Sequence, residues 1–300
     1  MEAAIVNFHS PGETVLVVDG GKFGERFWRI AKAYGLEVKI LKVEYGKAVS
    51  PRALEAEVER NPKIRSVCFN LCETSTGVTY EVEEIGRRLR GKGPLLIVDA
   101  ISGLAADRFE MDRWGIDLAI SGSQKGLMLP PGLGFLAVGP RASERMKEAR
   151  LPRFYFDLGL YEKALRDWDT PFTPAISLVV ALREAIRRLE KEGLERVLKR
   201  TEKLAGYTRE RLQDLGVELF AERPSNGVTA VKVPKGRDGE ELLDWIREKE
   251  GITLAGGQGE MKGKIIRMAH MGFIRKPDID RGLVALKRAL KMRSKREFAR

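Results

Sequence analysis

Short apolar, β-branched runs alternate with amphipathic stretches through the first half of the chain, and this alternation leaves few folds open. TVLVVDG precedes FGERFWRIAKAYG, EVKILKV precedes the Pro51-initiated PRALEAEVERN, and SVCFNL follows. YEVEEIGRRLRG, PLLIVDA, DLAISGS and GFLAVGP continue the pattern. Such alternation builds an α/β layer around a mostly parallel sheet, and runs this apolar imply strands covered on both faces. From Pro174 a long helical region runs through SLVVALREAIRRLEKEG to LERVLKRTEKLAGYTRERLQDLG. VELFAE, GVTAVKVP, GEELLDWIREKEG, ITLAGG, KIIRMAH and a helix from Pro277 complete it. Since 300 residues exceed one compact core, the expected division is a large domain, residues 1–190, and a smaller C-terminal α+β domain, residues 191–300. MEAAIVNFHSPG is helical in pattern without a cap at Met1, so the chain is expected to begin inside a helix.

Composition removes several classes of function. The net charge of +11 arises from 54 Lys and Arg against 43 Asp and Glu, with the two signs interleaved. RRLEKEGLERVLKRTEK reads as a solvated, ion-paired face of the kind enriched in heat-stable proteins. No basic cluster is interleaved with aromatics, which argues against nucleic acid as a partner, and the basic KMRSKREFAR reads as a frayed helix end. Only Cys68 and Cys72, spaced C-x3-C, and the histidines His9 and His270 are present, too few for a zinc site. Two reduced, buried thiols in the cytoplasm are the expectation, with no signal peptide and no 18-residue apolar run for a membrane. A Ser-His-Asp or Cys-His mechanism is poorly supplied, and His270 reads as structural.

One segment stands out. In SGSQKGLMLPPGLGF, Lys125 follows a strand expected to end near Ser121, and Gly126, Pro130, Pro131, Gly132 and Gly134 make its loop tight. A lysine at a strand's C-terminal end lies where open α/β sheets hold ligands. Alone, S-x-K would read as a surface turn. Asp99, which ends PLLIVDA, should emerge at the same sheet edge, as should the hydroxyls of CETSTGVTY and the ring of Phe23 in GKFGERF. Each has an ordinary alternative: a cap for Asp99, a turn for Ser75 and Thr76, a core aromatic for Phe23. A lysine amine with a carboxylate at one sheet edge suits pyridoxal phosphate, whose protonated ring needs an anionic partner.

These segments together resemble the class V aminotransferases of the alanine-glyoxylate and serine-pyruvate branch, which have the type I pyridoxal phosphate fold. SGSQK-x4-PPGLGF is the most specific match. The resemblance implies that Lys125 holds pyridoxal phosphate, that Gln124 contacts its phosphate or ring, and that Asp99, in VDAISGL, partners the pyridine nitrogen. It implies cofactor contacts for Thr74, in ETSTGV, and Phe23, in GKFGER. IIRMAHMG resembles the arginine-bearing strand, so Arg267 would clamp the substrate carboxylate. DTPFTPAISLVV resembles the segment that reaches the partner's cofactor phosphate, implicating Thr170 or Thr173 in a homodimer with shared sites. The implied activity moves an amino group from alanine or serine to glyoxylate or pyruvate. Cysteine desulfurases are related too, but they usually carry His before the lysine and a later reactive cysteine, where this chain has Gln124 and ends its cysteines at Cys72.

The chain departs from the family in two ways. Relatives open with a further N-terminal segment bearing a Gly-Ser-Gly-Thr phosphate loop, and MEAAIVNF resembles the helix placed directly after that loop. That leaves two expectations: a longer gene product with transaminase activity, or a truncated, non-catalytic homologue acting as a dimerisation or binding subunit. Leu71 also stands where relatives often have a histidine near the ring.

Overall fold

In a computed structural model, which describes residues 1–292, the expected strands assemble into a six-stranded sheet of order β2-β1-β3-β6-β7-β8. β1 (Thr14–Asp19), β2 (Glu37–Lys42), β3 (Ile64–Asn70), β6 (Leu95–Asp99) and β7 (Leu118–Gly122) run parallel, and β8 (Gly134–Val138) returns antiparallel to β7. Between β3 and β6 lies a short hairpin, β4 (Cys72–Glu73) with β5 (Val78–Thr79).

Alternate side chains of the parallel strands divide between two cores. Leu16, Val18, Val67, Phe69, Leu96 and Val98 pack with α3 (Pro51–Arg60) and α4 (Val82–Leu89). Val15, Val17, Cys68, Ile97, Leu118 and Ile120 face α1 (Glu2–Val6), α2 (Lys22–Ala33) and α6 (Pro140–Glu148). Both faces are covered, as the continuous apolar runs require, and each fully buried large side chain contributes about 1.5–3 kcal/mol. Because α2 and α3 cover opposite faces, the chain winds outward in both directions from β1.

A second sheet, β10 (Ala255–Gly256), β11 (Ile265–Ala269) and β9 (Val228–Lys232), is antiparallel throughout. Its core joins α9 (Leu194–Asp214), α10 (Gly239–Glu250) and α11 (Lys276–Lys291). Gly193, with φ of 84°, separates α8 (Ile176–Glu192) from α9. Cys72, Ala106, Val228 and Met271 form an apolar seam between the sheets.

Several expectations change. GFLAVGP does not form a strand covered on both faces: β8 is an edge strand with Gly134, Ala137 and Val138 exposed, because among the described residues no element packs outside it. VELFAE contributes a single bridge, Leu219 to Val231, rather than a strand, and the opening helix ends at Val6. α5 (Met111–Trp114), α6 and α7 (Leu158–Arg166) were not legible as periodic runs. The face RRLEKEGLERVLKRTEK is ion-paired in part: Glu184 holds Arg187 and Arg188, and Glu192 holds Arg200, while Arg196, Lys199 and Lys203 have no carboxylate within 4.0 Å among the described residues. Of KMRSKREFAR, everything from Arg293 lies outside the described residues. Among the described residues, no helix is long and apolar enough to cross a membrane.

Candidate active site

The C-terminal ends of β1, β3, β6 and β7 open onto one edge of the large sheet, where α2, the β4–β5 hairpin and the Lys125 loop begin. That edge and the small sheet enclose a cavity of about 680 Å³ lined by Phe23, Thr74, Gln124, Lys125, Met128, Val228 and Arg267, among others. Five residues singled out from the sequence therefore meet there.

The Lys125 loop is riveted by Ser123. Its hydroxyl donates to the Pro130 carbonyl (2.7 Å) and accepts from the Leu133 amide (3.2 Å), and its backbone pairs with Leu129 and Leu133. The Lys125 carbonyl accepts from the Met128 amide (3.0 Å), closing a turn in which Met128 takes φ of 64°. Gly126 passes so close to Leu104 that an added Cβ would stand 2.1 Å from its carbonyl oxygen. Among the described residues no carboxylate lies within 4.0 Å of the Lys125 amine, and burial pushes its pKa below the usual lysine range.

Asp99 lies at the end of β6, 3% exposed. Oδ1 accepts from the Ile101 amide (2.8 Å), while Oδ2 has no hydrogen bond among the described residues. Burial pushes the carboxyl up to about 6, against the pull of the Ile101 amide. The Thr74 hydroxyl donates to Ser102 Oγ (2.6 Å). Arg267, on β11, donates from Nε to the Gly256 carbonyl (2.9 Å) and from Nη1 to the Thr74 carbonyl (2.7 Å), so the small sheet is bonded to the large one at the cavity. Its Nη2 has no hydrogen bond among the described residues and is available to an anion.

Thr170 and Thr173 lie elsewhere, on an exposed stretch before α8, with the Thr170 hydroxyl turned back to the Phe172 carbonyl (2.7 Å). His270 is fully buried against the Asn226 carbonyl, and burial lowers its pKa to about 4, so it stays neutral and structural. Cys68 and Cys72 are free and buried, and no cluster of metal-binding side chains occurs among the described residues.

Glu73 was missed. It is fully buried, and Oε2 accepts from the amides of Phe23 (3.1 Å) and Gly24 (3.0 Å) in the first turn of α2. Oε1 takes the Ser75 hydroxyl (2.5 Å) and amide (3.1 Å), and Ser75 Oγ accepts from the Lys22 amide (3.0 Å). The hairpin thus caps three orphan amides of a helix that carries no cap of its own at Gly21. Burial raises the Glu73 pKa, while these donors pull it down. The only sequence signal was an acidic residue between apolar Cys72 and Thr74, and its helix lies fifty positions away in the chain.

An α/β protein with an unpaired lysine, an aromatic ring and a guanidinium with Nη2 unengaged at one cavity, and a buried carboxylate at the end of the neighbouring strand, is built for amino-acid chemistry on pyridoxal phosphate. Residues 2–275 match the family model for class V aminotransferases, and the chain belongs to that family. It is 40% identical to the soluble hydrogenase 42 kDa subunit of Anabaena cylindrica over 93% of this chain and 74% of that protein. It is 35% identical to the L-aspartate-glyoxylate aminotransferase of Paracoccus denitrificans, over 91% of this chain and 71% of the relative. The crystal structure of alanine-glyoxylate aminotransferase from Nostoc sp. superposes with a TM-score of 0.93 at 34% identity, covering 97% of this chain and 78% of that one. The chain is therefore a pyridoxal phosphate-dependent aminotransferase of the type I fold. The residues present fit that cofactor: among the described residues Asp99 Oδ2 has no hydrogen bond and is open to a ring N–H, and no carboxylate lies within 4.0 Å of the Lys125 amine.

If the hairpin cap holds Phe23 at the cavity, Glu73→Ala lowers stability in urea unfolding by about 1–3 kcal/mol and weakens pyridoxal phosphate binding. Glu73→Gln, which keeps one acceptor, recovers part of both. An alanine variant matching the parent in both measurements contradicts this role.

Proposed function

We propose that this chain transfers an amino group from alanine or serine to glyoxylate or pyruvate, with Lys125 as its proton carrier. The observation that carries this reading is the convergence of Lys125, Phe23, Thr74, Gln124 and Arg267 on one cavity, with the buried Asp99 at the end of the neighbouring strand β6. Pyridoxal phosphate, when bound, supplies an electrophilic carbon for the amine and a ring that withdraws electrons.

The protein's own groups do the rest. Arg267 Nη2 binds the substrate carboxylate and orients Cα. Lys125, its amine eased toward the neutral form by burial, would accept the proton from Cα on Nζ and hold it for return. With the cofactor bound, Asp99 would hold the proton on the ring nitrogen, the Thr74 hydroxyl and Gln124 would contact the group, and Phe23 would pack on its ring. Lys125 and Arg267 are the only cations in the lining among the described residues, and Asp278 adds a negative charge, which favours small uncharged donors over dicarboxylates. A purely binding or dimerisation subunit is not favoured, since such a role gives no reason to keep an unpaired lysine and a buried carboxylate at one cavity. Residues 1–190 form the cofactor-binding domain and 191–300 the small C-terminal domain, and two free buried thiols suit a reducing compartment such as the cytoplasm.

The chain works as a homodimer. Phe154, Tyr155, Leu165, Trp168, Ile176 and Val180 are exposed by 57–95% over one stretch, which also carries Thr170 and Thr173. An apolar surface of that kind is ordinarily covered by a partner, and the two threonines then serve the partner's cofactor phosphate. Light scattering should return twice the 33.7 kDa chain mass, and a monomer at micromolar concentration sinks the dimer.

The transamination reading is tested by Lys125→Ala, which should lose the visible absorbance gained on adding pyridoxal phosphate and lower turnover by about 10²–10⁴-fold. In the parent, kcat/KM for alanine or serine should exceed that for aspartate; the reverse order rejects the donor assignment.

Asp99 sets a pH dependence. Its carboxyl, with pKa about 6 in the free protein, is charged near neutrality and neutral well below. A protonated pyridine needs the charged form, so cofactor affinity falls as pH drops through about 6, by up to about tenfold per unit. Asp99→Asn should bind weakly throughout and flatten that dependence; a parent-like slope in the variant excludes Asp99 as the titrating group.

A further inference from the structure

A second cavity, of about 630 Å³, lies between α9 and the segment leading into α11. Six of its nine lining residues are cationic: Arg196, Lys199, Arg200, Lys203, Arg275 and Lys276. None is acidic. Leu204, Tyr207 and Ile274 complete the wall, and Ile274 also lines the active-site cavity.

The sequence of α9 places these charges together. Positions 196, 199, 200, 203 and 207 recur every three or four residues and share one helix face. Arg196 with Arg200, and Lys199 with Lys203, are like-charge pairs four apart, which destabilise a helix. Elsewhere the chain resolves such crowding with carboxylates, as where Glu84 and Glu55 share Arg88. Here it does so only at the rim. Glu192 takes Arg200 (2.7 Å), and Asp280 takes Lys276 (2.9 Å). Glu195 is turned away to Arg108 (2.6 Å), and Asp278 binds Arg281 (2.7 Å) and caps the Arg275 amide. Among the described residues Arg196, Lys199, Lys203 and Arg275 have no carboxylate within 4.0 Å, and Arg275 instead lies over the Phe273 ring (4.4 Å).

We propose that this cavity is a binding site for a polyphosphate-bearing small molecule of nucleotide size, separate from the cofactor site. Its volume falls within the roughly 300–1,000 Å³ typical of small-molecule sites. Four unneutralised cations converging from two elements match a multiply charged anion, and the planar guanidinium groups suit phosphate oxygens. Leu204, Ile274 and the Tyr207 ring offer an apolar surface for the uncharged part of the ligand. Lys276 lies over one part of that ring (4.2 Å) and bonds its hydroxyl (3.1 Å), which fixes the tyrosine in place.

The test is calorimetric titration of tripolyphosphate and of ATP into the full chain saturated with pyridoxal phosphate, so that the cofactor site is already filled. One ATP per chain should bind, with affinity falling as salt is raised. ATP should bind more tightly than tripolyphosphate through the apolar wall. The exposed pair Lys199→Glu with Lys203→Glu should weaken ATP by about tenfold or more while leaving the cofactor absorbance unchanged. Lys203→Gln, which adds no negative charge, should weaken it less. No binding to the parent at low salt, or equal affinity in the double variant, overturns the site. Equal affinity for tripolyphosphate and ATP overturns its nucleotide-sized character.

Discussion

The parallel ladder of β1, β3, β6 and β7 is the constraint on which the rest of the molecule depends. Its strands are apolar on both faces, so both faces must be covered, and helices crossing from strand to strand supply the cover. Parallel strands place all their C-terminal ends on one edge. The winding reverses at β1, because α2 leads outward to β2 while β3 lies on the other side. Two loops part at such a reversal and leave a crevice, where open α/β sheets bind ligands. Phe23 follows β1 and Thr74 follows β3, so they flank that crevice; Asp99 and Lys125 follow the next two strands. Four side chains spread over a hundred positions of sequence become neighbours because of strand order alone.

The crevice could still open or close by the movement of its loops, and Glu73 restrains them. A carboxylate buried at a helix N-terminus is favoured by the amides it accepts and by the helix dipole, and opposed by desolvation. Four donors hold it here. The balance requires α2 and the hairpin to keep one relative position, since parting them would leave both the carboxylate and the helix amides without partners. Gly24 sharpens the same restraint: an added Cβ would stand 2.4 Å from the Val18 carbonyl oxygen, so α2 rests directly on the backbone of β1. The position of Phe23 is thus set by backbone contact below and by a hydrogen-bonded carboxyl cap above.

How much of this was readable in the sequence depended on the range of the interaction. Strands with continuous apolar runs were readable because their signal is local, and Lys125, Asp99, Thr74 and Arg267 because each lies on or at the end of such a strand. Glu73 was not readable, since its meaning resides in a helix fifty positions away. β8 misled because an apolar run does not disclose whether a neighbour covers it; exposure is a property of the whole layer. On α9 the interleaved charges suggested pairing throughout, yet helical geometry places Arg196, Lys199 and Lys203 on one face, while Glu195 points elsewhere to Arg108. Alternation in sequence is not alternation in space.

Arg267 shows why the small sheet belongs to the site and is not merely attached to it. A guanidinium in a partly buried cavity needs its donors satisfied, and two of them are taken by carbonyls, one from Gly256 in its own sheet and one from Thr74 in the large domain. Those bonds fix the plane of the group and leave one edge to a ligand. Because the Thr74 carbonyl belongs to a residue that lines the cavity, any shift of the small sheet that moved Arg267 would strain the Thr74 backbone as well. The Arg267 guanidinium and the Thr74 side chain, both at the cavity, are therefore coupled through one peptide unit. The apolar seam of Cys72, Ala106, Val228 and Met271 lies beside it and makes sliding costly, since it would expose buried surface on both sides. The position of Arg267 at the cavity is held by the same packing that joins the two sheets.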